Sequence, residues 1–352
     1  MNPMHDPGPP ATCAGSTRMF REAAEAPDVL AAQLAANRDV LSALAAELQR
    51  SPPPFVATCA RGSSDHAATY AKALLETRLG MVTSSISPSV GSVYSVPQRL
   101  RGALFLAISQ SGRSPDLVRN AEAAREAGAR VVAMVNVADS PLAALADVVV
   151  PLHAGPERSV AATKSYLASL SAILQLGALW SGDAALLDAL ERLPAAMRRA
   201  WDCDWSDAVD GLVPARNLYV LGRGLGLAAA QEAALKFKET CGLHAEAYSA
   251  AEVKHGPMAL VGEGFPVLVL AQPDATLDGT RALVAEFRAR GARVWAALPG
   301  PEGNLPVATP PHPACAPLLL VQSFYRMANA LAIARGHDPD QPPHLNKVTE
   351  TV

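Results

Sequence analysis

Short apolar runs alternate along the chain with longer segments in which apolar positions recur at helical spacing. The run at 103–108 has no polar residue, which is typical of a central strand in a parallel sheet, because such a strand is buried on both faces. Strands alternating with helices predict an α/β fold, with each doubly wound parallel sheet flanked by helices in a flavodoxin-like three-layer sandwich. The pattern predicts strands near 55–60, 81–85, 103–109, 130–135 and 147–151, and again near 217–222, 266–271, 293–298 and 317–321.

Two stretches of the first half recur in the second half. Residues 55–62 (FVATCARG) correspond to 217–224 (NLYVLGRG), an offset of 162 positions. Residues 125–133 (REAGARVVA) correspond to 288–296 (RARGARVWA), an offset of 163. Repeats this far apart predict two similar domains rather than a solenoid of short units. The residues that differ between the copies are then expected to carry the chemistry.

The composition between these stretches predicts how the chain divides. A Pro- and Gly-rich start, 1–15, is expected to be disordered, and 16–49 is expected to be helical with Pro27 in the first turn of a second helix. The polar tail contains two adjacent prolines and is expected to be extended. The predicted division is a disordered N-terminus with a helical arm at 1–40, a first domain at 41–185, a helical linker at 186–214, a second domain at 215–336 and a tail at 337–352.

Composition and charge exclude several function classes. Half of the 352 residues are hydrophobic, 18% are charged and the formal net charge is −3, which indicates a compact protein without a nucleic-acid surface. No signal peptide or membrane span is recognisable, so we expect a reduced, cytoplasmic protein with no membrane partner. No metal or organic cofactor is expected, because no His, Cys or Asp cluster has ligand spacing and a proton shuttle needs only side chains. The five cysteines are scattered, without metal-type spacing (Cys13, Cys59, Cys203, Cys241, Cys315).

Hydroxyl-rich turns follow two strands of the first domain. Ser109, Gln110, Ser111 and Gly112 come directly after the apolar strand, and Ser114 precedes a proline as a helix N-cap would. Free backbone N–H groups and the helix dipole at such a place suit a phosphate, although a plain helix cap uses the same residues. The turn at 62–64, with Ser63 and Ser64, repeats the arrangement, and two such turns on adjacent strands favour a phosphate site.

The corresponding turn of the second domain, 222–226, has no hydroxyls and only loosely resembles a dinucleotide-binding motif. The helix after it carries Glu232, Lys236 and Glu239 on one face, and spacing alone favours a solvated ion-pair ladder. His255 precedes Gly-Pro and is therefore expected on a loop at a chain reversal. A histidine beside a carboxylate face has what proton transfer requires, but it is a surface or core histidine about as often.

Taken together, these motifs resemble the double sugar-isomerase (SIS) domains of glutamine–fructose-6-phosphate aminotransferase. The matching segments are SQSG at 109–112, EAALKFKE at 232–239, HAEAY at 244–248, KHGP at 254–257 and the tail DQP with Lys347. They occur in the order of that family and cover about residues 40–352. The resemblance implies two tandem SIS domains, the first binding sugar phosphate and the second carrying an acid–base face.

The resemblance also implies a role for each matching residue. Glu239 would move a proton between C1 and C2 of the sugar, supported by Lys236 and Glu232, and Lys347 would form a Schiff base with an open-chain ketose. His255 would open the sugar ring from the neighbouring subunit of a homodimer. The residues that would bind the sugar phosphate or line the sugar are Ser64, Ser109, Gln110, Ser111, Ser114, Val160 and Thr163, with Ala162 replacing a serine of the family.

The N-terminus departs from the aminotransferase pattern. Asn2 stands where the family has a cysteine nucleophile, and few residues precede the first sugar domain, so glutamine-dependent synthesis is not expected. The chain is more similar to isomerising glucosamine-6-phosphate deaminases, which form fructose 6-phosphate and ammonia. An ammonia-dependent aminating isomerase, another SIS deglycase, and a non-catalytic sugar-phosphate-binding regulator remain alternatives, and the substrate epimer at C4 is not assigned.

Overall fold

The computed structural model describes residues 14–347, which contain two parallel sheets flanked by helices. Within that range every strand pairing is parallel, and the strand orders are β2-β1-β3-β4-β5 and β7-β6-β8-β9. The first half consists of α1 Arg18–Ala24, α2 Ala26–Ala36, α3 Arg38–Arg50, β1 Val56–Cys59, α4 Ser63–Leu79, β2 Thr83–Ser85, α5 Pro88–Ser92, β3 Leu104–Ser109, α6 Pro115–Glu126, β4 Arg130–Val135, α7 Pro141–Leu145, β5 Val148–Pro151 and α8 Lys164–Ser181. The second half consists of α9 Ala184–Trp201, α10 Ser206–Leu212, β6 Asn217–Gly222, α11 Gly226–Cys241, β7 His244–Ser249, β8 Pro266–Leu270, α12 Leu277–Ala289, β9 Arg293–Ala297 and α13 Ala316–Ala334.

The predicted α/β fold is confirmed, and eight of the nine predicted strands are present. The strand predicted at 317–321 is wrong, because these residues lie in α13, which is buried on almost all sides. A short apolar run does not distinguish a buried strand from a buried helix. The edge strand β7 was missed, because its alanines and Glu246 are residue types that are depleted in strands, although polar and apolar positions alternate along it.

The two halves share one hydrophobic core. The inner faces of both sheets and helices α4, α8, α11 and α13 form a single apolar cluster, while each sheet has a smaller separate cluster on its outer face. α11 of the second half packs directly against α4 of the first half. This packing places the helix with the predicted acid–base face beside the carboxyl ends of the first sheet.

The helical prediction for 16–49 is confirmed by α1, α2 and α3, and Pro27 lies in the first turn of α2. The predicted disorder at 1–15 falls largely outside the described residues, although Ala14–Ser16 forms a short 3-10 helix. The expected helical linker corresponds to α9 and α10, and the described part of the tail contains no helix. The domain boundaries themselves stay predictions. No helix between residues 14 and 347 has the length and apolar character needed to cross a membrane.

Candidate active site

A cavity of about 330 Å³ lies at the carboxyl ends of β1 and β3, where ligands bind in open α/β sheets. Its walls come from both halves of the chain and from the tail. The residues that line it are Arg61, Gly62, Ser63, Ser64, Ile108, Ser109, Gln110, Ser111, Ser114, Leu117, Val160, Ala162, Glu239, Leu345, Asn346 and Lys347.

The serine turn, residues 109–114, forms one end of this cavity. The Ser109 hydroxyl accepts a hydrogen bond of 3.0 Å from the backbone N–H of Gly112, which has a positive φ of 63°. A Cβ at Gly112 would lie 2.1 Å from the Ser140 hydroxyl, so only glycine fits there. Ser114 occupies the N-cap position of α6 as predicted, but its side chain makes no capping bond. Its hydroxyl can therefore serve a bound anion, whereas the Leu117 N–H in the first turn of α6 already donates to the Asp116 carboxylate at 2.8 Å.

The two serines of the second hydroxyl-rich turn make different contacts. Gly62 has φ 56° and leads directly into α4. Ser63 donates a 3.1 Å hydrogen bond to Glu232 and accepts one of 3.1 Å from Lys236. Ser64 lines the cavity beside the serine turn. The turn therefore connects the cavity to α11.

The acid–base face of α11 is buried, so the solvated-ladder interpretation is wrong for it. The side chains of Glu232 and Lys236 are 0% exposed, with their charged atoms 3.4 Å apart, and Lys236 also contacts Glu239. Burial by itself would raise the pKa of Glu232, but Lys236 and His66 outweigh burial and hold that pKa below its ordinary value. Burial would lower the pKa of Lys236, but the two glutamates outweigh it and raise that pKa.

Two partners of Glu232 were missed by the sequence analysis. His66 places Nδ1 at 3.0 Å from one carboxylate oxygen, and the buried Tyr325 hydroxyl donates a 2.9 Å hydrogen bond to the other. Both contacts come from elements remote in sequence, α4 and α13. A buried charge needs such a set of partners, so Glu232 and Lys236 are held rigidly behind Glu239.

Glu239 is the member of this face that reaches the cavity. Its side chain is 21% exposed, whereas those of Glu232 and Lys236 are fully enclosed. Glu239 and the tail residue Lys347 line the same cavity as Gln110 and the serine turn. The structure thus brings together a carboxylate, an amine and the serine turn, as the sequence analysis expected.

The loop before α8 holds Lys347 through a carboxylate that the sequence analysis missed. Glu157 is buried and accepts hydrogen bonds from Lys347 (3.0 Å), the Ser165 hydroxyl (2.7 Å) and the Thr163 N–H (3.0 Å). Burial by itself would raise the pKa of Glu157, but the charge of Lys347 and these hydrogen bonds hold it below its ordinary value. Val160 lines the cavity, as does Ala162, while Thr163 is fully buried and is not among the lining residues.

His255 lies apart from the cavity of its own chain. It ends the 3-10 turn Glu252–His255, is exposed, and precedes Gly256, whose φ of 139° makes the predicted chain reversal. It does not line the cavity. Its supply from a second subunit stays a prediction. No group of three or more His, Cys, Asp or Glu side chains in the described part of the chain is placed to hold a metal ion.

A family model, the SIS domain, matches residues 56–179 and 211–299, which include both sheets. The chain belongs to the SIS domain family. It is 39% identical over 307 residues to a glutamine–fructose-6-phosphate aminotransferase of Aeropyrum pernix, covering 81% of this chain and 49% of that protein. The chain thus spans about half the length of the curated relatives it matches.

Two solved structures extend this likeness. A protein of Silicibacter pomeroyi DSS-3, assigned as a phosphosugar isomerase, has 45% identity and a TM-score of 0.88, covering 92% of this chain and 100% of its own. A glucosamine-6-phosphate deaminase of Thermotoga maritima has a TM-score of 0.76, covering 95% of this chain and 100% of its own. Its identity is 22%, so that likeness shows the fold alone.

Proposed function

We propose that this SIS protein is an amino-sugar phosphate deaminase and isomerase that converts glucosamine 6-phosphate, or a close analogue, to fructose 6-phosphate and ammonia. The observation that carries the proposal is the shared cavity, in which Glu239 and Lys347 meet the serine turn. A carboxylate held by a buried lysine suits proton transfer, and a nearby amine suits carbonyl chemistry.

The reaction begins with the phosphate on Ser64 and the serine turn, and with ring opening by His255 of a second copy. Glu239 removes the proton from C2 of the open-chain amino aldehyde and returns it to C1. The aldehyde oxygen gains a proton as the C2 amine loses one, so the transfer leaves a hydroxyl on C1 and a ketimine at C2. Water adds to that carbon and ammonia leaves, giving fructose 6-phosphate. In an alternative course, the Lys347 amine adds to the same carbon and expels ammonia to form a Schiff base, which water then hydrolyses to fructose 6-phosphate and the free lysine.

Two alternatives use the same cavity. An ammonia-dependent aminating isomerase would run the same steps in reverse with the same residues, so equilibrium and metabolite levels decide the direction. A non-catalytic sugar-phosphate-binding regulator would have no need of Glu239 and Lys347, whose placement at one cavity favours an enzyme. Shared fold does not by itself decide among these functions.

An ammonia-release assay tests the proposal across the 6-phosphates of glucosamine, galactosamine and their N-acetylated forms. We expect ammonia release from at least one of the free amino sugar phosphates. Glu239→Gln should lower turnover by about 10²-fold or more and still bind the sugar phosphate. Absence of release from every amino sugar phosphate, with binding intact, would favour the regulator. Near-wild-type turnover of Glu239→Gln would remove Glu239 from the mechanism.

A further inference from the structure

Arg61 places a cation at the end of the cavity where the two hydroxyl-rich turns lie. It follows β1 and lines the cavity together with Ser64, Ser111 and Ser114. The proposed reaction assigns it no role. Its position is nevertheless fixed, because its guanidinium is paired with a buried carboxylate.

That carboxylate belongs to Asp116, in the first turn of α6. The Arg61 Nε lies 2.8 Å and a terminal nitrogen 2.7 Å from the same Asp116 oxygen. The Asp116 side chain is 0% exposed, whereas that of Arg61 is 47% exposed. The guanidinium is thus anchored on one edge, beside the helix N-terminus that the serine turn precedes. A guanidinium has five N–H donors in a planar fork, so donors remain for a second anion.

Phosphate recognition in this cavity needs such a charge. A phosphate monoester carries about −1.5 to −2 charge at pH 7, whereas the serine hydroxyls are neutral. The basic side chains among the described lining residues are Arg61 and Lys347, and each is paired with a buried carboxylate. Lys347 is held at the loop before α8, whereas Arg61 is held at the start of α6, the helix that the serine turn precedes. Arg61 is therefore the cation placed with the serines.

We propose that Arg61 is a further phosphate-binding residue and that Asp116 is the positioning residue that holds its guanidinium. This inference deepens the proposed function and rests on it, since it makes the phosphate dianion of a sugar monophosphate the group that the site selects. It also predicts that loss of Arg61 alone weakens phosphate binding, because the negative charge of Asp116 would then lie near the phosphate without the cation that neutralises it.

Titration calorimetry with inorganic phosphate, glucosamine 6-phosphate and unphosphorylated glucosamine tests this role. We expect Arg61→Ala to weaken binding of both phosphate compounds by about 10- to 100-fold, as for loss of a charged hydrogen bond, and to leave glucosamine binding unchanged. Removing both charges in Arg61→Ala/Asp116→Asn should restore part of the affinity and keep the protein folded. Arg119→Ala is the matched control, since Arg119 is an exposed arginine of α6 that does not line this cavity.

Comparing turnover kinetics with direct phosphate binding shows whether the role of Arg61 or the proposed reaction is at fault. In an active protein, Arg61→Ala should raise KM with kcat nearly unchanged, and Arg61→Lys should recover part of the loss. If no amino sugar phosphate is turned over but Arg61→Ala still weakens the binding of inorganic phosphate, the proposed reaction is wrong and the role of Arg61 in phosphate binding is supported. If folded Arg61→Ala and the double variant both bind inorganic phosphate as the wild type does, the role of Arg61 is overturned.

Discussion

The amine of Lys347 lies 3.0 Å from the carboxylate of Glu157, a side chain that is wholly enclosed by protein. The tail therefore reaches the cavity by pairing its lysine with a buried anion. The pairing thus gives Glu157 the task of holding the tail lysine at the cavity.

Replacing Glu157 by Gln tests this task. We expect Glu157→Gln to lower kcat by at least about tenfold, because a neutral amide no longer attracts the ammonium of Lys347 and holds it at the cavity. Borohydride trapping of a ketose 6-phosphate on Lys347, followed by mass spectrometry, should fall in parallel. Glu25→Gln is the control, because Glu25 pairs with Lys164 at 2.6 Å without lining the cavity. Trapping at the wild-type rate in Glu157→Gln would contradict the assignment.

The buried charges also predict how stability depends on pH. The folded pKa values of Glu157 and Glu232 lie below 4.5, so the stability they contribute is present above pH 4.5 and is lost as the pH falls through the lowered values. The pKa of Lys236 is raised above 10.5, so its contribution is present below pH 10.5 and is lost above the raised value.

Thermal unfolding measured across pH checks both the acid limb and the alkaline limb of the stability profile. We expect the melting temperature to fall steeply below pH 4.5, and Glu157→Gln to flatten that acid limb because one of the ionising groups is gone. The alkaline limb above pH 10.5 should be unchanged in Glu157→Gln. An acid limb of equal slope in both proteins would show that Glu157 does not contribute its charge to stability.

Several signals that are local in sequence predicted the structure correctly. The strand at 104–109, the glycine turn and the proline at the start of α6 occur within a dozen residues, and each has its own chemical signature. The helix face of Glu232, Lys236 and Glu239 was also recognised from spacing. Its burial was not, because spacing describes one helix and not what packs against it.

Residues that depend on distant contacts were missed. Glu157 is 190 positions from Lys347, His66 is 166 positions from Glu232, and Tyr325 is 93 positions from the same glutamate. No pattern within one segment shows that α4 and α13 pack on α11. A buried carboxylate is recognised through its partners, and those partners are fixed only by the tertiary fold.

Tyr325 and Tyr166 form a matched pair for measuring how much the hydrogen bond to the buried Glu232 contributes to stability. Both are buried, but the Tyr325 hydroxyl donates to Glu232 at 2.9 Å while that of Tyr166 donates to a backbone carbonyl at 3.2 Å. We expect Tyr325→Phe to lower the free energy of unfolding by about 2 kcal/mol and Tyr166→Phe by about 1 kcal/mol, because bonds to charged groups are stronger. Urea unfolding measures both, and equal losses would contradict a special role for Tyr325.

Asp340 ties the tail to the N-terminal helix. Its carboxylate accepts 2.8 Å hydrogen bonds from the N–H groups of Arg18 and Met19, and its carbonyl accepts one of 3.4 Å from Val160. We expect Asp340→Ala to lower the free energy of unfolding by about 1 kcal/mol, as for loss of a helix cap, and to raise KM. Hydrogen exchange should increase across 338–347. Gln341→Ala, which changes an exposed neighbour of Asp340, keeps the bonds to α1 and should leave KM near wild type.

Gly112 and Gly80 have the same positive φ of 63°, yet their surroundings differ. A Cβ at Gly112 would meet the Ser140 side chain at 2.1 and 2.7 Å, whereas one at Gly80 would meet nothing within 4 Å. We expect Gly80→Ala to cost about 1 kcal/mol from backbone strain alone. Gly112→Ala should cost more and also abolish phosphate binding, because the serine turn must move to relieve the contact.

Ser140→Gly in the Gly112→Ala background should restore part of that binding, measured by calorimetry with inorganic phosphate. Equal losses in Gly112→Ala and Gly80→Ala, with phosphate still bound, would show that the serine turn tolerates the displacement and does not need its present shape.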